Sequence, residues 1–243
     1  MKNRHFLLIL IGLLCLPMLS MAKIRITDMR VNGLDRPIGT DPDGKTVFSW
    51  ILISDKTETF QEAYQVVVSS QGKKLWDSGK VKSDNSIAVA YEGTLTPDTE
   101  YTWTLQVWDN HGSASKKATS KWQTGIRTND WKAQWISASE TPVPTYFRKA
   151  ENLSGNIRKA TAYITSHGIY EAFINGKRVG NYELTPGWTT YLKRLQYQAY
   201  DVTSLLQKGK NMIAATVSPG WYSGGMNTGD PKNRYKYGKD VSL

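Results

Sequence analysis

The sequence predicts an all-β protein built as two β-sandwich domains in tandem. Three observations carry this. After residue 23 the apolar residues recur with a period of two, in short runs. Turn residues separate those runs, among them Asp43-Gly44, Gln71-Gly72, Asn110-His111-Gly112 and Asn175-Gly176. No stretch of a dozen residues carries the 3.6-residue period of an amphipathic helix. Many short strands with frequent turns argue for a sandwich or barrel. With 243 residues, 40% apolar and 21% charged, the chain can bury one large core or two ordinary ones.

The first segment, 1–22, reads as a secretory signal peptide. Lys2 and Arg4 form a basic start, residues 6–19 are almost wholly apolar, and Ser20-Met21-Ala22 puts small residues three and one before a cut. The apolar run of ~14 residues falls short of the ~20 that a membrane helix needs. No later run is long enough either, so no membrane span is expected. Cys15 is the one cysteine. Lipid attachment there is disfavoured, because bulky Leu14 stands where that processing wants a small residue. Cleavage after Ala22 leaves no cysteine, which excludes a disulfide framework or a thiolate zinc site. An exported protein of the periplasm or cell surface is the expectation.

Cleavage also removes Lys2 and Arg4 from a formal charge of +10, leaving +8. The remaining basic residues come in ones and twos, such as Lys73-Lys74, Lys116-Lys117, Arg158-Lys159 and Lys193-Arg194. Nucleic-acid binding would need them gathered on one face. Scattered beside turns, they suit solvated loops and guarded strand edges, and no nucleic-acid partner is expected.

The first domain is expected over 23–127. Its clearest strand is 101–108, with Tyr101, Trp103, Leu105 and Val107 on one face and Thr102, Thr104 and Gln106 on the other. Further strands are expected at 47–53, 64–68, 87–91 and 122–126. The segment 95–103 holds Leu95, Pro97, Tyr101 and Trp103 and resembles the strand E-to-F corner of fibronectin type III domains. Pro97 bends the chain between sheets, and a Tyr opening strand F can bond backbone upstream.

The second domain is expected over 131–243, as a jelly-roll-like sandwich. Strands are expected at 160–165, 169–174, 195–200 and 212–217. Asn175-Gly176 supplies the two positive-φ residues of a type I′ hairpin turn. After Tyr200 a single helical turn is expected, with Asp201 or Thr203 accepting from its free N–H groups. Gly209 closes it before the next strand.

Several segments together resemble one family, the bacterial α-L-rhamnosidases of glycoside hydrolase family seventy-eight. In the first half they are 48–50 (FSW), 61–65 (QEAYQ), 75–81 (LWDSGKV), 101–103 (YTW) and 123–125 (QTG). In the second they are 168–171 (GIYE), 174–176 (ING), 184–189 (LTPGWT), 200–203 (YDVT), 209–211 (GKN) and 220–224 (GWYSG). The resemblance implies a fibronectin-like domain, the family's N-terminal β-sandwich, and then an (α/α)₆ barrel holding the catalytic acid and base. It also implies hydrolysis of terminal α-L-rhamnosides with inversion. The sequence stops at Leu243, and the pattern of 235–243 reads as the start of another strand. The expectation is therefore an incomplete second sandwich without the barrel, its partners being that barrel and rhamnose-containing glycans, and no family catalytic residue is carried over.

Inverting hydrolysis needs two carboxyl groups ~6.5–9.5 Å apart, one protonated and one charged. Glu171, Glu183, Asp201 and Asp230 are the second-half acids near shaped loops, but Glu171 should face outward and Asp201 has a capping role. No catalytic residue is assigned. Two Pro-Gly-Trp triplets, 186–188 and 219–221, stand out. Trp188, Trp221 and Tyr222 are candidate sugar-binding residues, since an aromatic ring offers an apolar face to a sugar's C–H surface. The alternative is that these rings cover sandwich ends or the junction with a neighbouring domain. Gly220, Gly224 and Gly225 should leave the second loop mobile unless something packs on it. His111 and His167 stand alone beside turns, no metal-ligand spacing is present, and no Gly-x-Ser-x-Gly or phosphate loop occurs. Neither metal nor cofactor is expected. A free-standing carbohydrate-binding or adhesion module is the competing reading of the whole chain.

Overall fold

A computed structural model describes residues 24–138, 144–225 and 234–243. The expected signal segment 1–22, with Cys15, and Asp230 lie outside the described residues.

The first domain is a two-sheet sandwich. One sheet orders Leu34–Asp35, Arg25–Val31, Val47–Ile53 and Val89–Ala90; the other orders Ile38–Thr40, Ala118–Thr124, Glu100–Asp109, Gln61–Ser70 and Lys73–Asp77, with Val81–Lys82 also on Gln61–Ser70. Within Glu100–Asp109 the expected alternation holds: Tyr101, Trp103, Leu105 and Val107 are buried and the residues between them are not. Their side chains pack with Phe48 and Trp50 from the facing sheet and with Val66 and Val68 of the neighbouring strand Gln61–Ser70. Phe48 stacks on Trp103 at 4.5 Å, and Tyr101 on Trp122 at 4.8 Å. Fully burying each such side chain contributes roughly 1.5–3 kcal/mol. Trp50 stays satisfied because its indole N–H donates to Gln61 Oε1 at 2.9 Å. The corner forms as its residues require: the Thr96 N–H donates to the Tyr101 hydroxyl at 2.7 Å.

The second domain has a four-stranded sheet ordered Thr145–Leu153, Gly209–Ser218, Ile169–Ile174 and Lys177–Arg178, and a two-stranded sheet of Thr161–Ile164 with Gln198–Asp201. Its core gathers Tyr170, Ile174, Val179, Tyr200, Val202 and Val217. Asn175 and Gly176 turn the hairpin at φ +52° and +78°. The Thr203 N–H donates to Asp201 Oδ1 at 2.9 Å, ahead of the single turn Thr203–Leu205.

Three expected strands are shorter than read, the 160–165 run keeping Thr161–Ile164. The 87–91 run keeps only Val89–Ala90, because Ala88 turns at φ +54°. The 195–200 run becomes Gln198–Asp201, because Tyr197 is diverted to the first domain. One long strand went unread. Thr145–Leu153 pairs along its whole length with Gly209–Ser218, but Arg148, Lys149 and Glu151 interrupt its apolar pattern.

The two domains meet through a specific joint. The Tyr197 hydroxyl accepts from the Ile126 N–H and donates to its carbonyl, both at 3.1 Å. Tyr163 donates to Asp98 Oδ1 at 2.6 Å, and Gln123 Nε2 donates to the same oxygen at 3.0 Å and to Thr161 at 3.2 Å. Burial, then the Asp98 charge, pushes the Tyr163 hydroxyl's pKa well above its usual value, so it remains a donor. Glu100 of the first domain pairs with Lys121 at 3.0 Å and Lys159 of the second at 3.5 Å. Gly39 and Gly125 admit the close approach: a Cβ would stand 2.8 Å from Ala199 Cβ and 1.9 Å from the Tyr197 hydroxyl respectively.

Candidate functional site

The two Pro-Gly-Trp segments are folded differently. The first lies on the loop 182–188, where the Thr185–Pro186 peptide is cis and Leu184 sits at φ +55°. Thr185 anchors it to the strand Ile169–Ile174: its carbonyl accepts from the Tyr170 N–H at 2.8 Å, and its hydroxyl donates to the Tyr170 carbonyl at 2.7 Å. Gln198 Nε2 donates to the Pro186 carbonyl at 3.1 Å. With its backbone so held, the loop still exposes Tyr182 by 62%, Leu184 by 55% and Trp188 by 58%.

The second segment is not the bare glycine loop its composition suggests. Gly220–Ser223 forms one helical turn, with Gly220 at φ +50° and packed so closely that a Cβ would meet Ile169 at 2.4 Å. Trp221 is half-buried there. Tyr222 stacks on His167 at 4.5 Å, and Trp135 covers the other face of that imidazole at 4.2 Å. Tyr222 thus has one ring face occupied by protein. His167 Nδ1 lies in a 2.9 Å hydrogen bond with Ser242 Oγ. Burial in the stack pushes the imidazole's pKa down, which keeps it neutral.

Tyr191 joins the two segments, and sequence reading missed it. It is 8% exposed, its hydroxyl donates to the Gly187 carbonyl at 3.1 Å, and its ring meets Tyr222 edge-on at 5.4 Å. The structure therefore brings the Trp188 loop and the Tyr222 turn together around one buried tyrosine, and of the three candidates Trp188, Trp221 and Tyr222 it is Trp188 that offers a largely open ring. A lone aromatic between polar loops carries no local signal of such a role.

The carboxylates have structural partners. Arg178 bridges Glu171 (3.0 Å) and Glu183 (2.8 Å), and its Nη2 also donates to the Tyr182 carbonyl at 3.0 Å. Glu171 faces outward as expected. The guanidinium holds the Glu183 carboxyl below its usual range, and hydrogen bonds from Thr203 do the same for Asp201. Both are anions at neutral pH, so neither is the protonated carboxyl that inverting hydrolysis requires. Among the described residues no three His, Cys, Asp or Glu side chains group as metal ligands.

Comparison with known proteins gives this arrangement a family. Residues 26–128 match the Rha78A-like N-terminal immunoglobulin domain, and residues 155–243 match the alpha-L-rhamnosidase N-terminal domain. An alpha-L-rhamnosidase of Formosa agariphila is 35% identical over 79% of this chain, and one of Alteromonas sp. (strain LOR) is 36% identical over 73%. The chain spans 23% and 22% of their respective lengths. The solved alpha-L-rhamnosidase of Dictyoglumus thermophilum superposes with a TM-score of 0.76 at 31% identity, covering 89% of this chain and 26% of that one. The chain belongs to the α-L-rhamnosidases of glycoside hydrolase family seventy-eight, whose N-terminal immunoglobulin domain and following N-terminal domain it carries in that order.

Proposed function

We propose that this chain supplies the non-catalytic N-terminal domains of an exported α-L-rhamnosidase. In full length that enzyme hydrolyses terminal α-L-rhamnosides of glycans with inversion, through a helical barrel on the same polypeptide. The observation that carries the reading is the pair of family matches, both to N-terminal domains and both in order. The ion-paired Glu183 and capped Asp201 support it, being unsuited to donate a proton. The domain division at 127/131 and export to the periplasm or cell surface, with cleavage after Ala22, are parts of the same proposal. They are supported by the end of the immunoglobulin-domain match at residue 128 and by the basic, apolar and small-residue order of 1–22. The test is incubation of the purified protein with an aryl α-L-rhamnoside. No release of rhamnose is expected; release at rates above a boiled control would sink the reading.

A second reading is favoured by the 58% exposure of Trp188: a carbohydrate-binding module with Trp188, Trp221 and Tyr222 as its platform. Calorimetry against rhamnosides and plant polysaccharides tests it. Affinity that survives Trp188→Ala and Trp221→Ala excludes that platform.

A further inference from the structure

A cavity of about 320 Å³ opens where the two domains meet. One wall is Ile38 and Gly39 of the first domain; the other is Tyr182, Glu183, Pro186 and Gln198 of the second. That volume lies at the low end of the ~300–1,000 Å³ of small-molecule clefts, enough for one small ring.

The lining divides by chemistry. Tyr182, 62% exposed, and the Pro186 ring give an apolar side able to lie against C–H groups. Glu183 gives a fixed acceptor pair: Arg178 Nη1 meets Oε1 at 2.8 Å and Nη2 meets Oε2 at 3.0 Å, and each carboxylate oxygen keeps a further lone pair. The Gln198 amide is oriented by the Tyr170 hydroxyl on Oε1 at 2.8 Å and by its own bond to the Pro186 carbonyl, leaving its second N–H as a donor. The loop that carries Tyr182, Glu183 and Pro186 holds Leu184 in the left-handed region, a conformation of the kind that collects at binding sites. Glu183 is the one charged residue among those lining the cavity, which disfavours an anionic ligand.

We infer that this interdomain cavity is a binding site for a single neutral sugar residue with an apolar edge, such as a deoxyhexoside. Its C–H face lies on Tyr182 and its hydroxyls reach Glu183 and Gln198. This site is separate from the Trp188–Trp221–Tyr222 platform, and the choice of probe rests on the rhamnosidase reading.

The test is ligand-observed NMR and calorimetry on the whole protein with methyl α-L-rhamnoside, and with glucuronic acid as the anionic counterpart. Saturable binding of the rhamnoside and none of the uronate is expected. Tyr182→Ala, an exposed position that leaves the fold intact, should weaken binding about tenfold. Ile38→Trp, which fills the cavity from the opposite domain, should abolish it. Absence of rhamnoside binding, equal binding of the uronate, or affinity that survives both Tyr182→Ala and Ile38→Trp would overturn the site. None of those results bears on the rhamnosidase reading, which the release assay decides alone.

Discussion

Gly125→Ala isolates the joint between the domains from the stability of either core. Gly125 does not occupy the left-handed region, so alanine is conformationally permitted there. Narrowing the unfolded ensemble would by itself stabilise by about 0.4–1 kcal/mol. The added methyl, however, would stand 1.9 Å from the Tyr197 hydroxyl and 3.1 Å from the Gly39 carbonyl oxygen. Tyr197 must move, and its ring is held edge-on by Trp131 at 5.5 Å and Tyr163 at 5.9 Å. Moving the hydroxyl forfeits both bonds to Ile126. At roughly 0.5–1.5 kcal/mol each, the loss is about 1–3 kcal/mol, less the entropic gain. The joint should weaken by up to about 2.5 kcal/mol while both cores persist. Small-angle scattering should report a larger radius of gyration, and calorimetry a splitting of the unfolding transition, with near-ultraviolet dichroism from Trp103 and Trp122 unchanged. Scattering identical to the parent's, with an undivided transition at or above the parent's midpoint, would refute the reasoning. Tyr197→Phe removes the same two bonds without the clash. The double variant should then cost less than the two single effects added.

Three further outcomes are expected. Because burial lowers the His167 pKa below 6.5, its neutral form stabilises the fold above that pH, and this contribution is lost as pH falls below about 6.5. Thermal melts from pH 7.5 to 5 should show the decline, and His167→Phe, which keeps a ring between Trp135 and Tyr222, should flatten it; an unchanged slope would remove His167 as the cause. Tyr101→Phe strips the acceptor from the Thr96 N–H and should cost about 1–3 kcal/mol in urea titration, with the slope of the transition retained. Gly176→Ala meets no atom within 4 Å, so its cost of about 1–2 kcal/mol should come from the φ of +78° alone, and Gly176→Asn should recover part of it.

Legibility in the sequence followed the range of the interaction. The faces of Glu100–Asp109, the Tyr101 corner and the Asn175-Gly176 hairpin depend on residues within a few positions, and each is legible in the sequence. The strand Thr145–Leu153 could not, because it is defined by pairing with a partner about sixty residues later in the chain and its exposed side is charged. The joint was equally hidden. Asp98 and Tyr163 are 65 positions apart, and Ile126 and Tyr197 are 71, with no local pattern to link them. The aromatic candidates fell between these cases. Composition marked Trp188, Trp221 and Tyr222 together, but only tertiary packing distinguishes an open Trp188 from a Tyr222 laid against His167. Tyr191, which connects their loops, is conspicuous only once its hydroxyl is found on Gly187.

The joint and the cavity share Tyr197, and this couples the two experiments unequally. A ligand that touches Ile38 and Tyr182 at once requires the closed arrangement, so its apparent dissociation constant scales inversely with the closed fraction. If Gly125→Ala brought open and closed forms to equal populations, scattering would change plainly, yet affinity would fall only twofold. A tenfold loss requires the open form to reach about nine molecules in ten. Linkage runs the other way too: saturating rhamnoside should draw the Gly125→Ala variant back towards the parent's radius of gyration. Affinity weakened without that recovery would mean the substitution damages the pocket wall directly, through Gly39 and Ala199, and not through the domain equilibrium.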